Sequence, residues 1–154
     1  MQSVVARIER EHRTLEELLL RHQEALIERD WRSVRVSFAR FAQALLNHLA
    51  FKDAEVLTVH ALEIVQPRWP TQAYRQEQER LLQLLDRIID RLAQEPPDDE
   101  REERRWVIRV LDDQAVLKNA LAQHRKREEK GLLPELLWHF RSDADAWAED
   151  GGDE

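Results

Sequence analysis

The chain has 154 residues, a formal net charge of −7 at pH 7, three glycines and no cysteine. This length fits one domain with a hydrophobic core, and the lack of cysteine excludes disulfides, thiolate metal sites and cysteine nucleophiles. The acidic balance argues against nucleic-acid binding, because the arginines are interleaved with acids rather than gathered in a basic block. No apolar stretch approaches the roughly 18 residues of a membrane span, and no signal-peptide pattern is present. We therefore expect a soluble, cytoplasmic, all-α protein.

Four segments with helical periodicity follow one another along the chain. They cover about residues 3–28, 31–65, 71–94 and 98–134, and the last continues in some form to about residue 147. Asp30, Thr71 and either Asp98 or Asp99 are the expected N-caps of the last three helices. The stretches "QPRWP" and "EPPDD" are connections, because proline ends a helix. We expect one domain over residues 1–148 and a frayed acidic tail over residues 149–154.

The two halves of the chain resemble each other. "EHRTLEELL" from Glu11 aligns with "EQERLLQLL" from Glu77, and "HLAFKDAEVL" from His48 aligns with "HRKREEKGLL" from His124. In an up-down-up-down four-helix bundle, this register stacks the inward-facing positions of the helices in layers of four side chains. The predicted layers are His12, His48, Gln78 and His124; Ile8, Lys52, Tyr74 and Glu128; and, farther along the bundle, His22, Phe38, Ile88 and Gln114.

The fourth predicted helix contains a ligand motif in the stretch "HRKREEKGLLPEL". Glu128 follows His124 by four residues, so the two side chains lie on the same face of a helix. Such a pair is a usual way for a helix to offer two ligands to one metal ion. The aligned stretch of the second helix begins with His48 but has Lys52 at the position of the glutamate. Helical spacing also predicts Glu55, three residues after Lys52, on the same inward-facing seam.

This pattern resembles the hemerythrin-like (HHE cation-binding) family over nearly the whole chain. Its members are four-helix bundles that usually hold two irons bridged by carboxylates and oxygen. Their pattern is one histidine on each helix, with a glutamate four residues after the histidine on the second and fourth. The resemblance implies metal-ligand roles for His12, His48, His124 and Glu128. The chain departs from the family at two positions, where Lys52 replaces a glutamate and Gln78 replaces a histidine.

The two departures modify the expected site. A di-iron centre needs carboxylates to neutralise and bridge two cations, whereas Lys52 adds a positive charge. Two like charges about 4 Å apart repel by several kcal/mol at an effective dielectric constant near roughly 20. Gln78 is also a poorer ligand than imidazole for iron, copper or zinc. We therefore expect at most one metal ion, with iron as the expected metal, in place of a di-iron centre.

Two interpretations stay open at this point. In the first, the four matching residues hold one ion, and the domain binds or senses oxygen or another small ligand. In the second, the bundle is metal-free, Lys52 and Glu128 form an internal ion pair that the Tyr74 hydroxyl can hydrogen-bond, and the domain is structural or regulatory. It would then act on a protein partner that the sequence does not identify. An enzyme ranks last, because no residue points to a substrate.

Three further histidines lie outside the expected ligand set. His22 shares a predicted layer with Gln114, and we expect a hydrogen bond between them in the core. His60 and His139 fall near the end of the bundle beyond the expected site, and we expect surface positions for both rather than a second metal site.

Overall fold

Helical segments account for all the regular structure of residues 2–150, which a computed structural model describes, with side chains described for residues 3–141. Residues 151–154 of the predicted frayed tail lie outside this range. The elements are α1 (Gln2–Glu28), α2 (Trp31–Phe51), the π-helical segment π1 (Lys52–Leu57), α3 (Thr58–Glu63), α4 (Thr71–Leu92), α5 (Glu100–Arg127), the π-helical segment π2 (Glu128–Leu132) and α6 (Leu133–Asp150). The described residues contain no strand.

Four rods form the bundle, and the predicted all-α, four-helix fold is confirmed. The segments α2, π1 and α3 follow without interruption and make the second rod, and α5, π2 and α6 make the fourth. Consecutive rods pack together, α1 against α2 and α4 against α5. Among the described residues, no helix has the length and apolar character that crossing a membrane requires.

Side-chain caps begin two of the rods where the sequence predicts them. Asp30 accepts a hydrogen bond from the Ser33 backbone N–H at 3.3 Å, and Asp99 accepts one from the Glu102 backbone N–H at 3.0 Å. The predicted Thr71 cap is wrong, because the N-cap is Pro70 and Thr71 is the first residue of α4. Its hydroxyl is used elsewhere, as described below.

The buried residues of the candidate site lie between two apolar clusters. One cluster fills the middle of the bundle and the other fills the end near the start of α1. The central cluster includes Leu15, Leu45, Leu49, Leu81 and Leu117, and the end cluster includes Ile8, Val56, Tyr74 and Leu132. Along each rod, the candidate site residues come between a residue of one cluster and a residue of the other. The site is therefore enclosed by apolar packing on two sides.

Candidate functional site

Both π-helical segments begin at a candidate site residue, π1 at Lys52 and π2 at Glu128. A π-helical turn holds an extra residue, and such turns occur frequently at functional sites. The extra residue rotates the rod, so the helical spacing that predicts Glu55 on the inner face is wrong: Glu55 is exposed and Val56 is buried instead. The two aligned halves therefore share a backbone distortion as well as a sequence pattern.

Lys52 and Glu128 form an ion pair in the core. The Lys52 Nζ donates to Glu128 Oε1 at 2.6 Å, and the two side chains are 2% and 1% exposed. This is the internal pair that the second interpretation of the sequence anticipates. Both partners lose their hydration, so each depends on the other for compensation of its charge.

His124 joins this pair. Its Nε2 lies 2.8 Å from Glu128 Oε1 and 3.0 Å from Lys52 Nζ, so one carboxylate oxygen lies within hydrogen-bonding distance of both nitrogens. Burial opposes ionisation of Glu128, but the Lys52 charge and the hydrogen bonds from His124 and Lys52 hold the pKa of Glu128 well below its ordinary value. The carboxylate is therefore ionised across the neutral pH range.

On the other side of Lys52, His12 and His48 form a pair of their own. Their rings contact edge to face with centroids 5.0 Å apart. Burial, and in second place for His48 the Lys52 charge, lowers the pKa of His12 to about 4 and that of His48 to about 3. Both rings are therefore neutral at pH 7. The His48 Nδ1 lies 3.4 Å from Glu11 Oε2, and this carboxylate can only accept, so Nδ1 carries the proton of the ring.

Several buried polar atoms at this end have no hydrogen-bond partner among the described residues. They are His48 Nε2, Tyr74 Oη, Gln78 Nε2, His124 Nδ1 and Glu128 Oε2. Tyr74 is fully buried but does not make the predicted hydrogen bond to the Lys52–Glu128 pair. Its hydroxyl packs instead against Gly131, so closely that a Cβ at this glycine would lie 2.6 Å from Tyr74 Oη. Gln78 is buried in the predicted layer without bonding to the histidines.

The residues present do not fit a di-iron centre. Within the part of the chain that the structure describes, no three His, Asp or Glu side chains converge as metal ligands. The Lys52 ammonium lies against His124 Nε2 and Glu128 Oε1, the two atoms that the fourth rod would offer to an ion. The structure thus brings Lys52, His124 and Glu128 together, and His12 with His48, but does not unite the two groups around one point.

The other histidines test the remaining expectations. His22 lies in the core, where its Nε2 is 2.7 Å from Gln114 Nε2, so the predicted contact is confirmed. The surface position expected for His60 is wrong: it is buried, with Nδ1 2.7 Å from Thr71 Oγ1 and Nε2 3.3 Å from Glu135 Oε2. The shift of face that π1 introduces turns His60 inward.

A pocket of about 730 Å³ reaches the site between α1 and α5, and sequence reasoning missed it. His12, His48, Lys52 and His124 line one part of it, and leucines and Phe41 line much of the rest. The width of the gap between two rods is a tertiary property, and no local sequence signal reports it. The residues on its walls read as ordinary core and surface positions.

The comparisons with known proteins fit this architecture. A family model described as the hemerythrin HHE cation binding domain matches residues 3–136. No curated protein and no solved structure matches the chain. The matched range runs from α1 into α6 and contains both π-helical segments with the residues where they begin. The chain therefore belongs to the hemerythrin HHE cation-binding domain family.

Proposed function

We propose that the Lys52 ammonium replaces the metal centre in this domain, which works as a non-enzymatic small-ligand-binding or regulatory bundle. The observation that carries the proposal is the 2.6 Å contact between Lys52 Nζ and Glu128 Oε1 in a fully buried site. An ammonium supplies one positive charge and three donors. It therefore neutralises Glu128 and lies against the two atoms that the fourth rod would offer to a cation in this position.

The departures from the family support this proposal together. Lys52 adds a charge where a bridging carboxylate is expected, and Gln78 removes one imidazole ligand. The carboxylate beside the neutral pair of His12 and His48 is that of half-buried Glu11, at 3.4 Å from His48 Nδ1, whereas Glu128 pairs with Lys52 and His124. The charges of the site are thus balanced without a metal ion.

A second candidate function is the binding of one metal ion, expected to be iron, by His12, His48, His124 and Glu128. Two observations favour it: His48 Nε2 and Glu128 Oε2 are buried atoms with lone pairs available to a metal ion, and neither has a hydrogen-bond partner among the described residues. Such atoms call for an ion or an ordered water. Binding would require Lys52 to withdraw or lose its proton, because an ammonium has no lone pair to offer.

Elemental analysis of protein purified without chelators separates these functions. The proposal expects metal far below one ion per chain in the parent protein. One tightly held ion per chain, lost in His48→Ala and His124→Ala, would replace the proposal with the second candidate. Two irons per chain with an oxo-bridge absorption band would contradict both.

A further inference from the structure

The pocket between α1 and α5 has the size and shape of a site for a small elongated molecule. Its volume of about 730 Å³ lies within the range of roughly 300–1,000 Å³ typical of ligand pockets. It extends along α1 from His12 to Gln23, a rise of about 16 Å along a helix. Its mouth is polar, because the Arg125 guanidinium bridges to Glu16 of α1 at 2.8 Å and to Glu129 at 3.0 Å.

The walls of the pocket are apolar. Leu15, Leu19, Phe41, Leu49 and Leu121 line it between the mouth and the ion pair. Four of these five side chains are buried, and Leu121 is half-buried. A ligand that lies against them removes its own apolar surface from water, which gains roughly 25 cal/mol for each Å². The body of the ligand is therefore apolar.

The residues at the inner end of the pocket include two histidines with an unpartnered ring nitrogen, His48 and His124. The His48 Nδ1 lies 3.4 Å from the Glu11 carboxylate and donates to it, so Nε2 carries a lone pair. This atom is buried and has no hydrogen-bond partner among the described residues. Lys52, which also lines the pocket, makes only two polar contacts with described side chains and can donate three hydrogen bonds. A group that both donates and accepts would satisfy these atoms.

Charge decides which polar group fits. The Lys52 ammonium is already neutralised by Glu128 at 2.6 Å. At the inner end, an anionic head group would add a second negative charge beside Glu128 and Glu11, and a cationic one would add a second positive charge beside Lys52. Burial of a charge without a counter-ion is costly, whereas a hydroxyl enters without one.

We infer that this pocket binds a neutral aliphatic alcohol, with the hydroxyl between His48 Nε2 and Lys52 Nζ and the alkyl chain along the leucines. The hydroxyl hydrogen is donated to Nε2 and the hydroxyl oxygen accepts from the ammonium. This inference rests on the proposed function, since it needs Lys52 rather than a metal ion at the inner end, and it names the chemical class of the small ligand.

Four probes of similar length test the head group by isothermal titration calorimetry on the full chain: 1-octanol, octanoate, octylammonium and heptyl methyl ether. The ether has the same atoms as the alcohol but cannot donate a hydrogen bond. We expect one site for octanol and at least tenfold weaker binding for each of the others, since an unmet buried acceptor costs about one hydrogen bond. Octanoate or octylammonium binding as tightly as octanol would overturn the head-group assignment, and equal binding of the ether would remove His48 Nε2 from it.

Two exposed leucines provide matched variants for the location of the site. Leu20 lines the pocket and Leu46 does not, and they are 52% and 42% exposed. Leu20→Trp should weaken octanol binding at least tenfold by filling the mouth, and Leu46→Trp should leave it unchanged. Both positions are exposed, so neither variant should prevent folding. Equal effects of the two variants, or no binding of octanol to the parent, would overturn the inference.

The metal content of the same preparation is measured separately. Metal-free protein that binds no octanol would leave the replacement of the metal by Lys52 intact and remove the alcohol site. Protein with one tightly held ion would overturn the proposed function and, with it, the assignment of Lys52 as a donor to the ligand. The two failures therefore give different results.

Discussion

The second and fourth rods carry the same arrangement with opposite charge. Each has a histidine, then four residues later the first residue of a π-helical segment, and that residue is Lys52 in one rod and Glu128 in the other. Both side chains reach the core and meet at 2.6 Å. The comparison shows that one backbone device, used twice, can present a cation and an anion to each other. Within this pair, each charge compensates the other.

The histidines of the two motifs differ as well. His124 contacts both members of the ion pair, whereas His48 contacts the His12 ring and Glu11. His124 therefore contacts the ion pair directly and His48 does not, although each keeps one unpartnered ring nitrogen among the described residues, Nδ1 in His124 and Nε2 in His48.

The largest expected effect comes from removing one charge of the pair. Glu128→Gln should lower the free energy of unfolding by about 3–5 kcal/mol, because it leaves the Lys52 ammonium buried without a counter-ion. Replacing both charges, with Lys52→Met and Glu128→Leu together, should recover most of this loss, since well-packed apolar residues can substitute for a buried pair. Urea unfolding of the three proteins measures the difference.

An exposed pair beside the site is the matched control. Asp53 follows Lys52 in the chain and pairs with Arg75 at 3.3 Å, with both side chains more than a third exposed. Asp53→Asn should change stability by less than about 1 kcal/mol, the usual range for surface pairs. An Asp53→Asn loss as large as that of Glu128→Gln would show that burial does not distinguish the two pairs.

Making the two rods alike should convert the site to metal binding. Lys52→Glu with Gln78→His restores the residue types that the family has at these positions. Without metal the double variant should be less stable than the parent, because the introduced glutamate faces Glu128 and like charges raise a carboxyl pKa. Ferrous iron at about a hundred times its dissociation constant should then stabilise the variant by roughly 2.7 kcal/mol.

Thermal unfolding under anaerobic conditions, with and without ferrous iron, measures this effect. The parent protein is the control and should be indifferent to iron under the proposed function. A double variant whose thermal stability does not change with ferrous iron would mean that the substituted side chains do not converge. The two rods would then resemble each other in their backbones but not in the positions of their side chains.

Helical periodicity predicts much of this molecule. The alignment of the two halves places Lys52 opposite Glu128, and the layer of His22 correctly contains Gln114. These predictions hold because they depend on α-helical spacing within α1, α2, α4 and α5, where one residue adds a fixed rotation. The Gly and Pro near the end of the fourth rod do not end it, since helix continues through Gly131 and Pro134.

Residues beyond the π-helical segments could not be placed by the same spacing. The predicted inner position of Glu55 is taken by Val56, and His60 is buried although its place near a helix end suggests the surface. One extra residue in a turn changes which face every later residue occupies, and propensity does not signal it. The pocket was missed for a different reason, because it depends on the distance between α1 and α5.

Acid should lower the stability of the fold through three buried histidines. His12, His22 and His48 all lie in the first half, and burial lowers their pKa values to about 4, 4 and 3. In the unfolded chain a histidine has a pKa near 6.5. Stability is therefore complete above about pH 6.5 and falls as pH falls toward 4, since only the unfolded chain takes up these protons.

The contribution of one histidine can be measured. His48→Leu should flatten the dependence of unfolding free energy on pH between about 6.5 and 4 by up to roughly 1.4 kcal/mol per pH unit. Phe38→Leu is a core variant without a titrating group and should lower stability by a similar amount at each pH. Urea unfolding over this pH range compares them, and parallel profiles for the parent and His48→Leu would contradict the prediction.

The smallest expected effect concerns the π-helical segments themselves. Gly131 and Glu55 occupy aligned positions, but a Cβ on Gly131 would lie 2.6 Å from Tyr74 Oη and 2.8 Å from Trp69 Cε3, whereas Glu55 is exposed. Gly131→Ala should therefore force the Tyr74 and Trp69 rings to move, an overpacking cost of roughly 1–3 kcal/mol. Alanine's better helix propensity offsets about 0.5–1 kcal/mol of it, so we expect a net loss of about 1 kcal/mol.

Glu55→Ala is the matched control and should be neutral within about 0.5 kcal/mol. Thermal unfolding of both variants decides the matter: a stabilised Gly131→Ala would mean that π2 has room for a side chain, and that close packing against Tyr74 does not distinguish it from π1.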